Sequence, residues 1–286
     1  MAEVQFPLYR TYIAARTEAN NAMTAMLAGS RLAAHTLQLT TGSKRTLSEL
    51  FPTVEHIRRL NLRSDRARSL LDNADHHLAS VALPYALATH EHFVLSSIEL
   101  LRDDGVAIGC KASELKAWSM HETLFEAAGH PMPEKWLEIF HLLRKMRNCI
   151  IHAGGYSQPA LDNHIQGMSE ESIEEWQELN DQLHSGVVQS NRVILTAEHI
   201  LTGFAVTKRL GREVNSALVR KLNKSSWARI AVEDFQDTTS KVKNSPNWRR
   251  ALNGYTRQYY SPIELSDADL ESASRKSGNW SIESWG

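Results

Sequence analysis

Residues 136–155 read WLEIFHLLRKMRNCIIHAGG, and this stretch decides the fold class. Trp136, Ile139, Phe140, Leu143, Met146 and Ile150 recur at three- and four-residue steps, the period of a helix with one apolar face. Pro133 suits the first turn and Gly154-Gly155 supplies the stop, so the helix is expected from about Glu134 to Ala153. One residue breaks the pattern. Arg147 falls inside the apolar stripe, about 20° from the direction of Trp136 at about 100° per residue. Arg144 and Lys145 point toward the polar side, as ordinary surface charge does. A guanidinium cannot shed its charge, so burying it alone is expensive. Arg147 therefore has a buried acidic partner, lies at an interface, or lines a cleft.

The same periodicity extends through most of the chain. Residues 7–38 hold no proline or glycine between Pro7 and Gly29 and read as one or two helices, followed by the polar break TTGSKRT (40–46). A helix is expected from Thr53 to about Leu71, carrying Arg58, Arg59, Arg63, Arg66 and Arg68. Such a run is a solvated face or a phosphate-contacting patch. A long helix from about Ala74 to Leu101 follows, with Leu87, Val94, Ile98 and Leu101 on its core stripe. Glu91 interrupts that stripe as Arg147 interrupts the other, and is the natural acidic partner for it. ASELKAWSMHETLFEAAGH (112–130) reads as a shorter helix, and the acidic MSEESIEEWQELNDQL (168–183) as a solvated helix or loop.

GVVQSNRVILT (186–196) has the β-type composition of a small hairpin turning at Ser190-Asn191. Thr196 can cap a helix from about Ala197 to Leu222. Beyond Asn223 come Trp227, Trp248, Tyr255, Tyr259 and Tyr260 among polar residues: a helical appendage whose aromatics form its core or stack on bases, then a loose tail, SRKSGNWSIESWG. The fold is mainly α, divided as an N-terminal helical arm (1–45), a helical domain (46–222) and a C-terminal helical appendage and tail (223–286).

With 286 residues, 42% of them hydrophobic, the chain can bury a real core. Its formal net charge of −1 advertises no global polycation, so any nucleic-acid surface must be a local patch. Cys110 and Cys149 form no CxxC pair or disulfide framework. No secretory leader and no stretch of about 18 apolar residues is present, and a cytoplasmic protein is expected. GxGxxG, Walker, GxSxG and HExxH patterns are absent. Asp72 and His76 stand at i, i+4 with no visible third ligand, and His90 and His92 point apart on a helix.

Asn148 and His152 are four residues apart and share a helix face, where the Asn amide can fix the imidazole's tautomer. On spacing alone His152 is also an ordinary dipole-complementing residue at a helix end. Arg147 and His152 diverge by roughly 140° on an ideal helix, so either the helix loosens at HAGG or a second subunit completes the site.

Arg147-Asn148, four residues from Arg147 to His152, and the helix end in an all-helical chain together resemble the HEPN superfamily signature. YALATHEHFVLSSIELL (85–101), with Glu91, is similar to that family's first core helix, and the likeness covers residues 53–222. It implies a HEPN-like helical bundle with a small β-hairpin insertion. It also implies a metal-independent, cofactor-free endoribonuclease, working as a homodimer with a shared cleft in a toxin or antiviral system, with an antitoxin or sensor as possible partner and no membrane. His152 would move a proton, Arg147 would stabilise charge on the phosphoryl oxygens, and Asn148 would orient His152 or hold the phosphate. Glu91 would hold the guanidinium, and Arg58, Arg59, Arg63 and Arg66 would contact RNA. The competing readings are a non-catalytic binding module for nucleotide, RNA or protein, and a helical scaffold in which Glu91–Arg147 is a buried ion pair.

Overall fold

The structure, a computed structural model, describes residues 3–110, 114–283 and 285. The fold is mainly α with a single small hairpin among the described residues. In chain order the helices are α1 (Pro7–Gln38), α2 (Leu47–Leu50), α3 (Ser64–Asp72), α4 (Ala74–Asp103), α5 (Met120–Ala128), α6 (Glu134–His152), α7 (Pro159–Gly167) and α8 (Glu170–Asn180). Strands β1 (Val188–Gln189) and β2 (Arg192–Val193) follow, then α9 (Ala197–Lys221), α10 (Lys224–Thr238), α11 (Pro246–Tyr259) and α12 (Asp267–Lys276). None of the described helices is long and apolar enough to cross a membrane.

The chain forms two compact units. The first comprises residues 1–15, 88–134 and 208–286, and the second residues 16–87 and 135–207. Neither is consecutive in sequence, so the three-segment division above describes the order of the chain rather than its compact units.

In the first unit, polar contacts fasten the N-terminal segment to α9, α10 and the end of α11. Asn215 pairs with both backbone groups of Val4, donating to its carbonyl and accepting from its N–H. Gln5 N–H donates to the Tyr259 carbonyl at 2.8 Å. Arg10 grips Asp234 with two parallel bonds of 2.7 and 2.9 Å, and the Tyr260 hydroxyl donates to the same carboxylate at 2.7 Å. Deeper in, the Tyr12 hydroxyl meets His90 Nδ1 at 2.9 Å, and His90 Nε2 meets His121 Nε2 at 2.9 Å. An Nε2-to-Nε2 bond needs one ring to donate and the other to accept, so the two imidazoles cannot both be charged while it stands. Gly211 makes room for this chain, because a Cβ there would sit 2.6 Å from the Tyr12 ring.

The aromatic C-terminal segment is a core. Trp248, Trp280, Trp285 and Phe235 pack with Leu252 and Leu270, which corrects the loose tail expected from Ser274 onward. Two tryptophans among its last seven residues hold it, and apolar burial outweighs its polar composition.

The second unit holds α6, α7, α8 and the hairpin. Two expectations change here. The helix read from Thr53 begins only at Ser64, because His56 adopts a left-handed φ of 58° and only a 3-10 turn, Ile57–Arg59, precedes it. The acidic 168–183 segment is a helix, but Trp176 is wholly buried, so it packs rather than merely solvates. Its N-terminus is fixed by Ser169, whose side chain caps Ser172 N–H and whose own N–H donates to Glu138. Within 112–130, residues 112 and 113 lie outside the described residues, and the regular helix is α5, ended by Gly129 at φ 61°.

Asp234 is 3% exposed, so its carboxylate depends on the partners around it. Asp234→Ala would leave the Arg10 charge and the Tyr260 hydroxyl without their acceptor, and a loss of about 3 kcal/mol is expected in denaturant unfolding. Unchanged stability would mean that the Arg10 pair contributes nothing to holding the N-terminal segment against α10.

Candidate active site

α6 presents two distinct faces. Its buried residues are Leu137, Ile139, Phe140, Leu142, Leu143, Met146 and Cys149. Arg147 follows Leu143 by four residues and Phe140 by seven, so it emerges at the edge of that buried arc, itself half-buried. Arg144 and Lys145 are half-buried as well, which corrects their reading as ordinary surface charge. Trp136 and Ile150, placed on the apolar side by sequence, are only half-buried.

The second face carries polar and titratable side chains. Lys145, Asn148, Cys149 and His152 occupy positions i, i+3, i+4 and i+7, one stripe along the helix. Together with Gln158, Ala160 and Leu161 around the start of α7, they line a cavity of about 280 Å³. Arg147 does not line it. Asn148 is half-buried there, whereas His152 is exposed. Burial pushes the Cys149 thiol up, opposed by the Gln158 backbone N–H, so Cys149 is a poor nucleophile. Lys145 is pushed below the usual lysine range, first by burial and then by the neighbouring charge of Arg144.

His164, further along α7, does not line the cavity. Its Nε2 hydrogen bonds the Glu138 carbonyl at 2.8 Å and its ring meets His141 edge-on. Burial lowers His164 below the usual imidazole range, and the charges of Lys145 and His141 lower it further.

How α6 ends determines where His152 sits. The helix remains α-helical through His152, so no loosened turn swings the imidazole toward Arg147. The chain then reverses through Gly154 and Gly155, at φ 59° and 84°. Left-handed backbone of this kind suits glycine because it has no Cβ. Gly155 N–H donates back to the Cys149 carbonyl at 2.9 Å. Beyond the reversal, Val193 N–H donates to the Gly155 carbonyl and Ser157 N–H to the Asn191 carbonyl. The segment after His152 thereby lies alongside the hairpin, whose turn falls at Ser190-Asn191, as expected, with positive φ at both residues.

Sequence reading passed over two residues here. Tyr156 is 46% exposed, and Arg192 stacks 4.2 Å above its ring while donating to its hydroxyl at 2.8 Å. No one-dimensional signal links them, because the Tyr156–Arg192 bridge brings together residues far apart in the chain.

The other assigned residues are elsewhere. Arg58 and Arg59 lie on the 3-10 turn, Arg63 precedes α3 and Arg66 lies within it, all exposed. Glu91 is half-buried on α4, in the first unit. Of the residues the sequence pattern singles out, Asn148 and His152 share the cavity; Arg147 and the four arginines do not line it.

The hairpin's far end is anchored by His199. The Thr196 backbone N–H donates to His199 Nδ1 at 3.0 Å, which requires that nitrogen to be unprotonated. The ring is buried against Trp176, and burial drives His199 down to about 4. Its folded value lies below the unfolded 6.5, so the unfolded chain takes up the proton first as pH falls. This contribution to stability is complete above pH 6.5 and is lost between 6.5 and 4, amounting to about 3 kcal/mol at its largest. His199→Gln, which keeps an acceptor but no titration, is expected to flatten the pH dependence of unfolding in that window; an unchanged slope would contradict this role.

Comparison with known proteins finds no family model, no curated relative and no solved structure that matches the chain.

Proposed function

We propose that the chain is a metal-independent endoribonuclease of the HEPN type, acting as a toxin or phage-defence effector. The observation that carries this reading is that Asn148 and His152 of the RNxxxH pattern line one cavity, at a helix end held rigidly by the Gly154-Gly155 reversal. RNA supplies its own nucleophile, so the protein needs proton transfer and charge stabilisation rather than a nucleophilic side chain. The 2′-oxygen bonds to phosphorus as the P–O5′ bond breaks. One proton leaves the 2′-hydroxyl and one is taken up by the 5′-oxygen. His152 serves one of these transfers and water the other, giving a 2′,3′-cyclic phosphate and a 5′-hydroxyl. Asn148, one turn back on the same face, orients the imidazole.

Arg147 belongs to this reaction only through a second copy of the chain, because it diverges from His152 on a helix that stays regular. The proposed assembly is therefore a homodimer in which the Arg147 of one protomer reaches the cleft of the other. Arg147's direction also favours a second reading, a non-catalytic module that binds RNA through the same cavity without cutting it.

Gel analysis of labelled single-stranded RNA, with EDTA present, separates these readings. The expected result is cleavage with cyclic-phosphate ends, reduced at least about 100-fold in His152→Ala and in Arg147→Ala, both with wild-type circular dichroism. Undiminished cleavage by His152→Ala would overturn the mechanism, and binding without cleavage by the wild type would select the second reading.

A further inference from the structure

The cavity at the end of α6 contains a charge that nothing in the reading above uses. Lys145 is half-buried and lines the cavity with Asn148 and His152, yet it makes no ion pair among the described residues. Two other partly covered cations in this protein, Lys135 and Arg10, are matched by carboxylates. Lys135, on the same helix, contacts Glu175 at 2.7 Å and Glu171 at 3.5 Å, and Arg10 grips Asp234. The cavity also has no Asp or Glu in its lining. The larger cavity of about 440 Å³ between α10 and α12 is different, because Arg229 and Lys276 there share the walls with Glu233 and Asp269. Arg229 already contacts Glu233 at 3.2 Å.

We propose that this cavity is a phosphate subsite in which Lys145 takes the non-bridging oxygens of an RNA phosphodiester, with Asn148 and His152 on the same substrate group. The inference rests on the ribonuclease reading and assigns the charge-stabilising role within one protomer to Lys145. From Lys145 to His152 is seven residues, so the two side chains diverge by only about 20°, against about 140° for Arg147 and His152. Fixed cations aimed at charge that develops in the transition state are worth most where water is partly excluded. Volume supports a subsite rather than a whole-ligand pocket, since about 280 Å³ lies just below the roughly 300–1,000 Å³ typical of pockets that enclose a complete small ligand. The energetic signature agrees. Burial already disfavours the Lys145 charge, and a bound anion would offset that cost.

The test compares wild type, Lys145→Met and Lys145→Arg with two probes: an uncleavable 2′-O-methyl single-stranded oligonucleotide, followed by anisotropy, and inorganic phosphate as competitor. The wild type is expected to bind the oligonucleotide, Lys145→Met to bind it at least about tenfold more weakly, and Lys145→Arg to retain most of the affinity. The salt dependence of binding should fall by about one ion in Lys145→Met. Melting provides a second readout of opposite sign: removing a half-buried cation without a counter-charge should leave the thermal midpoint of Lys145→Met equal or higher. Equal binding by wild type and Lys145→Met overturns the inference, as does a wild type that binds neither probe. Binding of phosphate alone keeps the anion site and overturns its assignment to RNA. If the wild type binds the oligonucleotide through Lys145 but cleaves no RNA, the subsite stands and the ribonuclease reading fails. If it cleaves RNA as fast with Lys145→Met, the reverse holds.

Discussion

The backbone hydrogen bond from Gly155 to the Cys149 carbonyl is the constraint on which the candidate site depends. It closes α6 immediately after His152 and turns the chain back through two left-handed glycines. Neighbouring bonds tie the reversed segment to the hairpin, and the hairpin in turn is held at the start of α9 through Thr196 and His199. A side chain one residue beyond such a stop would sit on a loop. His152 instead occupies the final helical position, in phase with Lys145 and Asn148.

That phase decides which residues can work together. A helix that stays regular to its last residue cannot aim Arg147 and His152 at one atom, and α6 is regular to its last residue. The signature resemblance groups Arg147, Asn148 and His152, whereas the geometry groups Lys145, Asn148 and His152 around one cavity. These are reconciled if Arg147 serves a neighbouring protomer and Lys145 serves its own. The arrangement has a physical cost: Lys145 keeps a charge in a half-buried place without a carboxylate beside it. Functional sites commonly retain groups that stability alone would replace.

Periodic features were the legible part of the sequence. The apolar stripes of α4 and α6 mark helices because the 3.6-residue repeat and the helix signals agree there, Thr196 marks the start of α9, and the β-type run around Ser190-Asn191 marks the hairpin. What escaped was set by contacts distant in sequence. Trp176 lies in an acidic run whose composition suggests solvent, yet its indole is wholly buried. The C-terminal tail looks polar, yet Trp280 and Trp285 draw it into a core with Trp248. Within the site, Asn148 and His152 were legible through their i, i+4 spacing. Lys145 escapes the sequence pattern because the apolar stripe of α6 alone puts it on the polar side, whereas the cavity wall opposite comes from α7, whose Pro159 start follows the glycine reversal.

The central claim, that RNA meets this protein at the end of α6, is tested most directly by a selective NMR titration of the wild type with an uncleavable 2′-O-methyl oligonucleotide. The account expects the His152 imidazole and Lys145 ammonium-adjacent signals to shift together and saturate at one concentration. Movement confined to the exposed arginines Arg58, Arg59, Arg63 and Arg66, with His152 and Lys145 unmoved, would contradict it.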